Sequence, residues 1–129
     1  MDATEERPVR VLVVDDSRTI RQQVRHALED SGCELLEAAD GVEGLDVIES
    51  TPDLGVVICD VNMPQMDGLQ MLERVRDGGH DVPVVMLTTE GQPELIRQAK
   101  EFGARGWMVK PIAPEHLRKV VDKLATAAR

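Results

Sequence analysis

Three carboxylates, a pair of hydroxyls and an ammonium stand out in this chain, as Asp15-Asp16, Asp60, Thr88-Thr89 and Lys110-Pro111. Taken singly, each has a plain role. Asp15-Asp16 before Ser17 can cap a helix, for which Asp is well suited. Thr88-Thr89 can cap a following turn, and Lys110 can be a surface lysine. Gathered at one place, the same residues make a different demand. Three close carboxylates repel one another and raise each other's pKa values unless a cation neutralises them. The set holds one Lys, so a hard divalent ion with oxygen ligands is its natural complement, and a small site with few carboxylates and several waters suits Mg²⁺. Lysine binds phosphoryl oxygen as a point charge. Carboxylates, Mg²⁺, Lys and a hydroxyl together read as phosphoryl chemistry, with a carboxylate available as nucleophile.

The elements that would gather them are legible. Five short apolar runs, 9–14, 33–38, 54–59, 82–87 and 106–109, are the candidate strands. Four of them show little polar alternation, which is how strands buried on both faces of a parallel sheet read. The second is mixed and suits an edge. Between them lie helical periods: Ile20, Val24, Ala27 and Leu28; Leu45 and Ile48 behind Asp40 and Glu43; Leu69, Leu72 and Val75 behind Asp67. Leu95, Ile96, Ala99 and Phe102 follow Pro93 and stop at Gly103, and Leu117, Val120, Val121 and Leu124 follow Pro114. Strands alternating with helices imply right-handed crossovers and a parallel sheet covered on both faces. The polar residues follow the first, third, fourth and fifth runs. In an open parallel sheet those strand ends share one edge, and that edge holds the ligand.

Composition narrows the function. The 129 residues suit one domain, placed at 8–126, with 1–7 and 127–129 expected to be loose. Fifteen basic and 24 acidic residues give a net charge of −9, so counterion release on DNA offers nothing and no nucleic-acid partner is expected. No apolar run approaches a membrane span, and the acidic start Met1-Asp2-Ala3-Thr4-Glu5-Glu6 is wrong for a secretory signal. Cys33 and Cys59 form neither a disulfide framework nor a metal spacing, and read as reduced buried thiols of a cytoplasmic protein. No phosphate-cradling glycine motif and no nucleophile elbow is present. His26, His80 and His116 read as ordinary solvated or half-buried residues, and Met63, Met66 and Met71 as core and loop filling.

The stretches Val13-Val14-Asp15-Asp16-Ser17, Asp60-Val61-Asn62-Met63-Pro64-Gln65-Met66-Asp67-Gly68, Leu87-Thr88-Thr89 and Val109-Lys110-Pro111 resemble, in order, the receiver domain of bacterial response regulators. The absence of a following output module and the run Thr89-Glu90-Gly91-Gln92-Pro93-Glu94 make the stand-alone chemotaxis, CheY-like form the better match. The resemblance implies a flavodoxin-like fold: a doubly wound five-stranded sheet of order 2-1-3-4-5 flanked by five helices. It implies that Asp60 is the phosphoacceptor, that Asp16 ligates Mg²⁺ directly with Asp15 acting through water, and that Asn62 offers its backbone carbonyl. Lys110 would hold the phosphoryl group, with a cis bond to Pro111, and Thr88 would be the switch hydroxyl. Trp107 stands where the family has Tyr or Phe, and Asn62 and Glu90 would tune dephosphorylation.

The function implied is that of a phosphorelay component, not an enzyme beyond its own phosphorylation and dephosphorylation. A histidine kinase would donate, and a downstream protein, such as a flagellar motor switch or another motility component, would bind a face of the monomer built from the fourth helix, fifth strand and fifth helix. A phosphate sink, or a receiver cut from a larger regulator, would share these residues. A phosphohydrolase of the haloacid dehalogenase class is a poorer fit, because Asp60-Val61-Asn62 lacks the second acid of its D-x-D signature.

Overall fold

The structure is a computed structural model and describes residues 8–89 and 93–127. Strands and helices alternate: β1 (Arg10–Val14), α1 (Arg18–Leu28), β2 (Glu34–Ala38), α2 (Gly41–Ser50), β3 (Leu54–Asp60), α3 (Gly68–Asp77), β4 (Val84–Thr88), α4 (Pro93–Glu101), β5 (Gly106–Val109) and α5 (Pro114–Ala127). All strand pairs are parallel and the order is β2-β1-β3-β4-β5. The parallel sheet is the one expected from the alternation, and its doubly wound, flavodoxin-like order is the one the resemblance implies.

The apolar runs split by alternate residues into two cores. Val11, Val13, Val56, Ile58, Val85 and Leu87 face α1 and α5, where Val24, Leu28, Leu117 and Val121 meet them. Leu12, Val14, Val57, Cys59, Val84 and Met86 face the other layer, against Ile48, Met71, Leu72, Val75 and Ala99. A strand buried on both faces needs apolar residues at every position, which is why the runs of β1, β3 and β4 lack polar alternation; β5, read the same way from its sequence, is only half-buried, with Val109 exposed.

Boundaries differ from the sequence reading in instructive places. β4 begins at Val84 instead of Val82, because Pro83 has no N–H for the ladder; its carbonyl still accepts from Val57 N–H at 2.9 Å. β3 and β4 run one residue further than their apolar runs, so Asp60 and Thr88 are themselves the last strand residues, with Asp60 opposite Leu87 and Thr88 opposite Val109. The tail expected to be loose from residue 127 is helical through Ala127, and Ala125 is buried; alanine is the strongest helix former. Cys33, expected to be buried, is half-buried, and neither cysteine forms a disulfide.

Short side chains start the helices. Ser17 Oγ accepts from Ile20 N–H, Asp40 from Glu43 N–H, and Asp67 from Gln70 N–H, with Gln70 returning the bond to Asp67 N–H as a capping box. Asp67 and Gly68 start α3 hard against the end of β3. Gly68 N–H donates to Val61 carbonyl at 2.9 Å. A Cβ at Gly68 would lie 2.1 Å from the Asp60 carbonyl oxygen. That atom is backbone and cannot swing aside, so only glycine lets the helix approach the strand end this closely. Gly68→Ala is therefore expected to destabilise the fold by about 3 kcal/mol, at the upper end of overpacking costs. Urea unfolding measures it, and an unchanged midpoint would mean the approach is not tight.

Candidate functional site

β1 and β3 are adjacent in the sheet, but the chain leaves β1 toward one side, for β2, and β3 toward the other, for β4. The crevice beyond their C-terminal ends is the topological switch point, where open parallel sheets bind ligands. Asp15 and Asp16 follow β1, Asp60 ends β3, Thr88 ends β4, and Lys110 follows β5. The structure brings the acids together: carboxylate oxygens of Asp15, Asp16 and Asp60 all lie within 4.8 Å of one another. Asp15 is fully buried, Asp60 is 6% exposed, and Asp16 faces solvent.

Lys110 reaches in from the end of β5, two strands beyond β3. Its Nζ is 3.0 Å from Asp15 Oδ2 and 3.4 Å from Asp60 Oδ1. The Lys110 N–H donates to Thr88 carbonyl at 2.7 Å, which ties β5's exit to β4, and the Lys110–Pro111 bond is cis. Asp15 Oδ1 accepts from Ser17 N–H at 2.9 Å. Asp15 Oδ2 has the ammonium beside it as an ion pair but no aligned hydrogen bond, and is closed to solvent. The capping role open to Asp15-Asp16 goes to Ser17 instead, and the acids are left for another purpose.

The electrostatics follow from this crowding. Burial, and then the neighbouring Asp15 charge, raise the Asp60 pKa; the Lys110 ammonium and the Asn62 backbone N–H pull it back. Ionised Asp60 is thus held at a cost that a further cation would lift. Beneath it, burial first and then the charges of Asp60, Asp15 and Asp67 push the Cys59 thiol well up, so it stays an unreactive thiol. Three oxygen ligands beside an incompletely satisfied buried carboxylate are the donor set a hard divalent cation takes.

The remaining candidates sit as follows. Asn62 lies two residues past Asp60 with its side chain exposed. Thr88 is 3% exposed. Trp107 is half-buried on β5, opposite Met86, and packs on the core of the α3 and α4 side. Glu90 lies outside the described residues. His26 and His116 are exposed and His80 half-buried, while Met71 is core and Met63 and Met66 pack partly against it, as expected. Two participants escape sequence reasoning: Arg21, whose Nη1 donates to the Asp15 carbonyl, and Glu37, which accepts from Arg21 Nε at 3.1 Å. One signal points to them, since an arginine near a helix N-terminus opposes the macrodipole and needs a reason.

Comparison with known proteins agrees with the geometry. The family model of the response regulator receiver domain matches residues 11–122. A chemotaxis protein CheY homolog of Campylobacter jejuni is 38% identical over 124 residues, 93% of this chain and 95% of that protein. Chemotaxis protein CheY1 of Helicobacter pylori is 36% identical over 117 residues, 88% of this chain and 94% of that one. The solved structure of the chemotaxis response regulator CheY4 of Vibrio cholerae superposes with a TM-score of 0.83 at 44% identity, covering 91% of this chain and 98% of that one. A strand-edge acidic cluster answered by one lysine, on a sheet of this order and with these likenesses along nearly its whole length, places the chain in the response regulator receiver family, as a homologue of the chemotaxis regulators.

Proposed function

We propose that Asp60 accepts a phosphoryl group from a histidine kinase, or from a small donor such as acetyl phosphate, with Mg²⁺ held in the same pocket. The observation that carries this reading is the placement of Asp60: a nearly buried carboxylate at a strand end, with Lys110 Nζ 3.4 Å away and two further acids beside it. Receivers of the CheY type take phosphate from histidine kinases, act on downstream targets, and use Mg²⁺ at an acidic pocket. They are not enzymes in the ordinary sense. Here the working unit is residues 8–126.

In the transfer, an Asp60 carboxylate oxygen attacks phosphorus, the donor's P–N or P–O bond breaks, and the leaving group takes its electron pair. An acyl phosphate remains on Asp60. Asp16, Asp60 and the Asn62 carbonyl would hold Mg²⁺ directly, with Asp15 acting through water, and the ion would supply positive charge to the carboxylates and the incoming phosphoryl oxygens. Lys110 is already poised between Asp15 and Asp60, so its ammonium faces the new oxygens without a long excursion. Thr88, at the end of β4, donates its hydroxyl to the phosphoryl group. Asn62 and Glu90 set how readily water returns to cleave it.

The signal leaves through α4, β5 and α5. Residues 93–127 hold seven basic and four acidic residues in a chain of net −9, so this face suits an acidic segment of a downstream protein, such as a motility component. Trp107 lies within it. Its indole Nε1 is buried with no hydrogen-bond partner among the described residues. Such a group costs about 1–3 kcal/mol, so a rotamer that reaches a partner is close in energy. A cavity of about 80 Å³ between α4 and β5 lies against the ring. One phosphoryl group shifts such populations only where the two states differ by a few kcal/mol.

Three outcomes are expected. Acetyl phosphate with Mg²⁺ should label Asp60, located by mass spectrometry after borohydride trapping; a full label in Asp60→Asn would sink the assignment. Without divalent ions, Asp60→Asn should melt higher than the native protein at pH 7. A carboxyl raised in the folded state contributes stability that is present below its unfolded pKa and is lost as pH rises through the folded one, and Asn never suffers that loss. The gap should close on acidification toward pH 4, as thermal melts across pH would show, and a constant gap would contradict the raised pKa. Tryptophan emission should change on adding beryllofluoride with Mg²⁺, and change less in Thr88→Ala. Identical spectra in all samples would make Trp107 a static packing residue.

A further inference from the structure

We infer that Arg21, clamped by Glu37 of the edge strand, is a positioning residue for Asp15 in divalent-cation binding; this rests on the Mg²⁺ reading above. Arg21 lies near the start of α1, where the macrodipole disfavours a cation, and its side chain is only 17% exposed. Its guanidinium is nevertheless fixed by two acceptors of different kinds. Nε donates to Glu37 Oε1 at 3.1 Å, and Nη1 donates to the Asp15 carbonyl. Glu37 is itself held by Arg25, one turn further along α1, which donates to Oε2 through Nε at 3.0 Å and through Nη2. These bonds, Arg25's foremost, keep the Glu37 pKa low against the opposing effect of burial.

The consequence is a fully gripped Asp15. Its N–H donates to the Ala38 carbonyl of β2 at 3.0 Å, its carbonyl accepts from Arg21, and its Oδ1 accepts from Ser17 N–H at 2.9 Å. Oδ2 alone remains, aimed at Lys110 and the acidic cluster. Partners that orient ligands in this way are worth about ten- to a hundredfold in metal affinity. Electrostatics alone predicts the reverse sign, since a guanidinium beside the pocket repels a cation and its loss should tighten binding. Lysine keeps the charge but lacks the planar fork that spans Glu37 and a carbonyl together.

The test is calorimetric titration of the unphosphorylated protein with Mg²⁺, supported by acetyl phosphate labelling rates at saturating Mg²⁺. Arg21→Lys should raise the Mg²⁺ dissociation constant about tenfold, while labelling at saturating Mg²⁺ stays near native. Glu37→Ala, a change on the edge strand that leaves the core intact, should weaken binding in the same direction. Arg118→Lys is the matched control: Arg118 Nη1 donates to the Ala27 carbonyl at 3.1 Å, the same kind of bond at the far end of α1. It should leave Mg²⁺ affinity unchanged. An unchanged or tightened affinity in Arg21→Lys, or an equal loss in Arg118→Lys, would overturn the inference. An unchanged affinity in Glu37→Ala would overturn the clamp. Asp16→Ala separates the two readings: if it loses Mg²⁺ while Arg21→Lys does not, only the positioning role fails, and if neither loses it, the metal reading fails with it.

Discussion

Asp15 is fully buried, Asp60 nearly so, and one ammonium, that of Lys110, reaches both. Much of the molecule can be understood as the cost of that arrangement and the means of bearing it. Two like charges in a place that water hardly enters are unfavourable, and one cation answers them only in part. The residue of unmet charge is what makes the pocket chemically purposeful. A site already neutral would have no reason to take up a divalent ion, and one without Lys110 would lose an influence that pulls the raised Asp60 pKa back down.

Two apolar cores hold this charged edge in place. The central strands β1, β3 and β4 are buried on both faces, so β1 and β3 cannot slip by a residue without turning core side chains the wrong way. The acids therefore inherit the precision of the hydrophobic packing beneath them. Gly68 imposes the same precision from the other side, since α3 begins where the Asp60 carbonyl leaves room for a hydrogen atom and nothing larger. The β3–α3 loop also carries Gln65 at φ 69°, a left-handed backbone that side chains adopt reluctantly. The segment that follows Asp60 is thus strained at Gln65 and tight at Gly68.

The parallel alternation and the placing of Asp15, Asp16, Asp60, Thr88 and Lys110 at one sheet edge are legible in the sequence because both rest on simple regularities, while the strand order needs the resemblance. Apolar runs mark strands, and parallel strands share an edge. Assigning roles within the cluster needs the resemblance, since periodicity does not say which of three carboxylates is the nucleophile. Strand ends are misjudged where polarity and hydrogen bonding part company: Pro83 is apolar yet cannot enter the ladder, while Asp60 and Thr88 are polar yet complete it. Arg21 and Glu37 stay hidden because their link joins α1 to an edge strand through side chains and one carbonyl. No spacing rule encodes such a contact.

The order of the sheet has a consequence for how the protein comes into being. Each strand pairs with one already made: β2 and β3 flank β1, β4 adds beside β3, and β5 beside β4. A chain leaving the ribosome from its N-terminus can extend the sheet outward in the order of synthesis. Lys110 is then the last charge to arrive. Until β5 docks, the nascent chain carries the acids of β1 and β3 with no ammonium between them. Completion of the last strand therefore joins the arrival of a folded edge to the arrival of the one ammonium that answers the buried acids.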